Sequence, residues 1–187
     1  MEKFNRDIEK HFIQNKNNYT YTPAEINDNI KKFSSPMEYH YLGLALQRRS
    51  EQKKAIIAFS IAVTKNPGFV PGYINMGLLA MQQKKFTEAT RLFEIALQKD
   101  PFENRIYTYL GDSYLRIGKV KNAIKIFEAA IHRNPRNTSM LNRLGSAYGL
   151  DKEFEKSIQI FQKILKINPD DVAAKRNIEF TKMRMQK

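Results

Sequence analysis

The chain has 187 residues, 42% hydrophobic and 27% charged, a balance typical of folded, water-soluble proteins. Its longest apolar runs, such as 55–63, fall far short of the roughly 20 residues a bilayer-spanning helix needs, and the absence of cysteine excludes disulfide frameworks and thiolate metal sites. A formal net charge of +13 admits a polyanionic partner, nucleic acid or an acidic membrane surface, as one class to weigh.

In residues 1–35, Phe4, Ile8 and Phe12 recur at i, i+4 and predict an amphipathic helix, followed by a polar break at Asn15–Asn18. Glu2, Asp7 and Glu9 offset Lys3, Arg6 and Lys10, which removes the basic attraction a membrane-surface helix uses. A second helix is signalled by Thr22 as cap, Pro23 at the first helical position and apolar Ile26, Ile30 and Phe33. This N-terminal helical extension is expected to pack on the helices that begin at residue 36, or to fold across a ligand groove. If Met1 is the native start, the lack of a basic-then-apolar leader points to a cytoplasmic protein.

From residue 36 the sequence repeats every 34 residues without a gap: 36–69, 70–103, 104–137 and 138–171. Position 8 of each unit is glycine (Gly43, Gly77, Gly111, Gly145), position 24 is phenylalanine (Phe59, Phe93, Phe127, Phe161) and position 32 is proline (Pro67, Pro101, Pro135, Pro169). Positions 4, 7, 8 and 11 make one apolar stripe and define a first helix; Ala, Phe and Ala at 20, 24 and 27 define a second. Proline lacks an N–H and disfavours helix in the residue before it, so it ends the second helix, where Asn66, Asp100, Asn134 and Asn168 suit a turn. A period of this length means stacked helical hairpins. Glycine inside a helix costs about 1 kcal/mol relative to alanine, so its recurrence predicts close helix contact, with the small residue at position 20 approaching the glycine and the phenylalanine filling the space beside it.

After Pro169, Asp170 and Asp171 begin a last helix within 172–187 that starts like a fifth unit. Its positions 4, 8 and 11 are Lys175, Glu179 and Lys182, so it reads as a C-terminal capping helix that solvates the end of the array. Phe180, Met183 and Met185 are left over, to pack under the last unit or to support weak self-association.

These units resemble the tetratricopeptide repeat, whose pattern has a large residue at 4, Leu at 7, Gly or Ala at 8, Tyr at 11, Ala at 20 and 27, Phe at 24 and Pro at 32. Ser157, Ile164, Leu141 and Ala80 depart from it. The resemblance implies an all-α, right-handed solenoid of helical hairpins whose first helices line a concave groove through positions 2, 5, 6, 9, 12 and 13. Carried onto this chain, those positions give His40, Tyr41, Leu44 and Arg48; Ile74, Asn75 and Leu78; Arg105, Tyr109, Asp112 and Arg116; and Asn142 and Arg143. Aromatic and aliphatic pockets, amides and arginines together suit an extended peptide or a partner helix, with the arginines toward carboxylates. The two-carboxylate clamp of chaperone adaptors is matched outright only at Asn75, with Arg105 preserving a charge, so acidic chaperone tails are not expected to bind.

The chemistry of a catalyst is missing from this pattern. His11, His40 and His132 are too dispersed to share a metal, and every glycine belongs to a repeat position or a turn rather than to a phosphate-binding loop. The expectation is a noncatalytic protein-interaction scaffold without metal or cofactor. The alternative is a polyanion or RNA binder using lysines spread around the helices, such as Lys53, Lys84, Lys121 and Lys163, with Tyr41 and Tyr109 as stacking groups.

Overall fold

The structure, a computed structural model, describes residues 34–186. The two helices expected before residue 34 lie outside the described residues. The chain divides into two compact units, one up to Gly72 and one from Tyr73 onward. The described part of the first unit holds α1 (Pro36–Arg48) and α2 (Gln52–Lys65). Helix α3 (Val70–Gln82) starts at the boundary, and the second unit continues with α4 (Phe86–Lys99), α5 (Asn104–Arg116), α6 (Val120–Arg133), α7 (Thr138–Leu150), α8 (Phe154–Ile167) and α9 (Val172–Met185). From α4 to α9 each helix packs on the next, and α9 also touches α7. No strand occurs among the described residues. The fold is an all-α helical-repeat solenoid.

Local chemistry sets each boundary. Ser35 and Glu38 close a capping box at the start of α1, and Asn137 and Asp171 accept the amides of Met140 and Ala174 at 3.1 and 2.8 Å to cap α7 and α9. Between the two helices of every hairpin, position 15 has positive φ: Ser50 (62°), Lys84 (59°), Gly118 (75°) and Lys152 (64°). The amide of position 16 then reaches back to the carbonyl of position 11, as from Lys119 to Tyr114 and from Glu153 to Tyr148, both at 2.9 Å, which is the Schellman closure of a helix C-terminus. The second helices end on the residue directly ahead of each proline, extended at Asn66, Asp100 and Asn168. Asn66 and Asp100 accept the amides of Gly68 and Phe102 at 2.9 Å, making the anticipated turns with their own side chains.

The four phenylalanines are almost fully buried, and burying such a side chain contributes about 1.5–3 kcal/mol. The packing around the glycines differs from expectation in one respect. A Cβ at Gly77 would meet the Phe93 ring at 2.5 Å and one at Gly145 the Phe161 ring at 2.7 Å, and at Gly43 and Gly111 the Phe59 and Phe127 rings stand closer still. The phenylalanine, not the small residue at position 20, therefore occupies the space glycine leaves, because its ring edge extends across the hairpin while an alanine methyl does not.

One departure from the repeat pattern has its own solution. Ser157, in place of alanine at position 20, donates its hydroxyl to the Gly145 carbonyl at 2.7 Å, so the buried group is satisfied. Neighbouring hairpins are also tied by polar contacts. The Tyr107 hydroxyl donates to the Pro101 carbonyl at 2.9 Å, Tyr114 donates to Glu94 at 2.5 Å, and Tyr148 repeats that bond to Glu128 one hairpin later. Burial and the adjacent carboxylate push the Tyr148 hydroxyl up to about 12, so it stays a donor.

Candidate functional site

The helical period fixes which side chains can share a ligand face. On α5 and α7, residues three and four apart fall on one side, and Asp112 and Leu115 with Ser139, Asn142, Arg143 and Ser146 line an open hollow of about 290 Å³. A second hollow of about 250 Å³ adjoins it through Ser146 and is bounded by Gly149, Leu150 and Phe161 with Asn177, Phe180 and Arg184 of α9. The positions expected to face a ligand thus converge from α5 and α7. Sequence reasoning left α9 off this face as a mere cap. Its signal was available, since Asn177, Phe180 and Arg184 occupy positions 6, 9 and 13 of an incomplete fifth unit.

Most of the groups expected to meet a ligand already hold partners. Arg143 Nη1 lies 2.5 and 2.6 Å from the two carboxylate oxygens of Asp112. Arg105 donates through Nε and Nη2 to Glu103 at 3.0 and 2.8 Å. The Arg105 side chain thereby holds the Glu103 carboxyl below its ordinary range. The guanidinium of Arg116 sits over Phe86 at 5.7 Å, and the Tyr109 ring stacks on Phe93 at 5.5 Å. The amide nitrogen of Asn177 donates to the side-chain oxygen of Asn142 at 3.0 Å. Asn75 and Leu78 are half-buried, whereas Ile74 is only 5% exposed and belongs to the core. Ile74 is therefore withdrawn from the set able to touch a ligand.

In the first unit, His40 is half-buried, with ring centroids 5.7 Å from Tyr41, 5.7 Å from Phe59 and 5.4 Å from Phe69. Burial pushes its imidazole down to about 4, so it is neutral near pH 7 and acts as an aromatic wall rather than a charge. Tyr41 and Leu44 are half-buried beside it and Arg48 is exposed. Phe180 and Met183, expected to pack under the last repeat or to form a contact surface, are 56% and 57% exposed. Among the described residues no cluster of His, Asp and Glu could hold a metal ion, and no helix is long and apolar enough to cross a membrane.

Successive two-helix hairpins recurring at a fixed period define a helical-repeat protein. The family model of the tetratricopeptide repeat matches residues 74–130 and 110–172, more than half of the chain, and the chain belongs to that family. Among solved structures it is similar to YrrB, described as a TPR protein with an unusual peptide-binding site, at 17% identity over 86% of this chain and 84% of that one, with a TM-score of 0.73. It is also similar to MamA from Desulfovibrio magneticus RS-1, at 20% identity over 81% and 85% of the two chains, TM-score 0.72. A tetratricopeptide repeat protein from Parabacteroides merdae ATCC 43184 matches at 20% identity over 80% of this chain and 60% of that one, TM-score 0.73. None of the curated proteins matches the chain.

Proposed function

We propose that this protein is a noncatalytic interaction module that holds a peptide or partner helix against the first helices of its hairpins. The observation that carries this reading is the 290 Å³ hollow, where Asp112 and Leu115 of one hairpin meet Asn142 and Arg143 of the next at solvent. Its lining mixes apolar surface with amide and charged groups, the combination that gives a peptide both affinity and register. YrrB's described peptide-binding site on the same fold supports the same use. In this reading 36–69, 70–103, 104–137 and 138–171 are the working repeats and 172–187 closes the array.

Selection of displayed random peptides on the full chain tests it. Enriched peptides should lose about tenfold in affinity on a Leu115→Ala, Asn142→Ala variant whose circular dichroism matches wild type, one lost hydrogen bond and one lost apolar contact being enough for that factor. No enriched peptide, or undiminished binding by the variant, would overturn the reading. If uridine oligomers bound instead, weakening by roughly one log unit per log unit of salt for each phosphate contact, the basic surface would be the site.

A further inference from the structure

Arginine and lysine are partitioned between the faces of this protein. Of its eleven arginines, Arg105, Arg116, Arg143, Arg176 and Arg184 fall at the ligand-face positions of α5, α7 and α9. None of its twenty-one lysines falls at those positions in any unit. A general lysine-rich composition would fill this face as readily as any other, so the exclusion reflects chemistry. Guanidinium is planar, weakly hydrated and able to grip a carboxylate through two parallel donors, whereas ammonium is a compact, strongly hydrated point charge.

Three arginines of this face on α5, α7 and α9 lie outside any ion pair among the described residues: Arg116, over the Phe86 ring, and Arg176 and Arg184. Two of these three uncompensated charges stand on α9. Arg105 and Arg143 are engaged by Glu103 and Asp112, the latter being the sole acid at these positions. Arg176 is exposed and forms no ion pair among the described residues, and Arg184 lies over the rings of Phe154 and Phe180 at 5.5 and 5.9 Å without a carboxylate. Beside Arg184 is the 250 Å³ hollow walled by Leu150, Phe161 and Phe180, with Gly149 presenting no side chain into it. The Asn142–Asn177 bond uses one donor and one acceptor and leaves amide groups on both residues for a peptide backbone.

We propose that the α7–α9 end of this face takes an extended acidic segment of another protein, its carboxylates on Arg176 and Arg184 and one large apolar side chain in the hollow. This rests on the peptide-binding reading above and adds α9 to it. Charge complementarity selects the occupant: a second copy of a chain with formal charge +13 would bring like charge, and residues 1–33 carry no excess of acids. Nucleic acid fits less well, because lysines are excluded from the face and one side of Tyr109 is already covered by Phe93.

The test is fluorescence anisotropy of the full chain with a synthetic peptide of about ten residues, enough to extend past two helices, with alternating Glu and a central Phe. Arg176→Gln with Arg184→Gln should weaken binding about tenfold or more, and the peptide with Gln for Glu should lose as much, since each loses charge-assisted hydrogen bonds. Lys121→Gln with Lys125→Gln should change it less than about twofold, as expected of distant, screened charges. Replacing the central Phe by Ser, or Phe180 by Ser, should also weaken binding. Undiminished binding by the arginine variant overturns the placement; if Leu115→Ala, Asn142→Ala still weakens the same peptide, the groove reading survives alone, and if neither does, both fail. Failure of wild type to bind the peptide, displacement of it by a uridine oligomer held by the same arginines, or a dimer dissolved by Phe180→Ser would each overturn the proposal.

Discussion

Arg143 on α7 holds Asp112 on α5 through both carboxylate oxygens, at 2.5 and 2.6 Å, and so ties two consecutive hairpins at the centre of the candidate ligand face. Burial pushes the Asp112 carboxyl above its ordinary range, opposed by the Arg143 and Arg116 guanidinium groups. The pair is about one-third exposed, so solvent screens it. A double-mutant cycle of Arg143→Gln and Asp112→Asn in urea unfolding should give a coupling of about 0.5–1 kcal/mol, the upper part of the exposed-pair range. A coupling of zero would show that the two groups are only neighbours. Arg143→Glu is expected to destabilise more than Arg143→Gln, because it sets two carboxylates against each other.

Two glycines of the same protein should respond to alanine with opposite sign. The Cβ of Gly111→Ala would collide with the ring of Phe127, which is fully buried and cannot swing aside. Overpacking of this kind costs about 1–3 kcal/mol, enough to exceed the roughly 1 kcal/mol gained in helix propensity. At Gly149 the nearest atom to a new Cβ is the Ser157 hydroxyl oxygen at 3.4 Å, an ordinary contact. Gly149→Ala should therefore stabilise by about 0.5–1 kcal/mol. Thermal midpoints moving the same way in both variants would contradict this account of the hairpin interface.

His40 makes the first unit sensitive to acid. Its folded-state value, about 4, lies below the ordinary 6.5, so between those values the unfolded chain binds more protons than the folded one. Stability from the neutral ring is complete above pH 6.5 and is lost as pH falls toward 4. The difference between those values corresponds to about 3 kcal/mol. Urea unfolding of wild type from pH 7 to pH 4 should show that loss in excess of a His40→Phe variant, whose ring keeps the contacts with Phe59 and Phe69 but cannot take a proton. Parallel pH profiles would place the imidazole in water.

Helices, turns and hairpin pairing were legible because each rests on local chemistry repeated at fixed spacing. Pro101 ends α4, Gly111 and Phe127 face each other sixteen residues apart, and Asp171 caps α9, all from residues whose backbone preferences or volumes act within one hairpin. The ligand face was legible as a set of positions but not as a set of available groups. Arg143 and Asp112 are thirty-one residues apart, and nothing in the repeat pattern says that they neutralise each other. Ile74 shares its repeat position with His40 and Thr108, yet it is buried while they are half-buried, because its surroundings differ.

The amino-acid sequence by itself determined that this protein is an array of two-helix units, because a 34-residue period in volume, glycine and proline constrains every hairpin in the same way. Tertiary structure alone decided which side chains are spent on one another and which remain at the surface. It turned Phe180, Asn177 and Arg184 from the trim of a capping helix into the wall of a hollow, since charge pairing, ring stacking and cavity shape depend on where neighbouring helices stand, and that is a property of packing between units rather than of any residue's own preference.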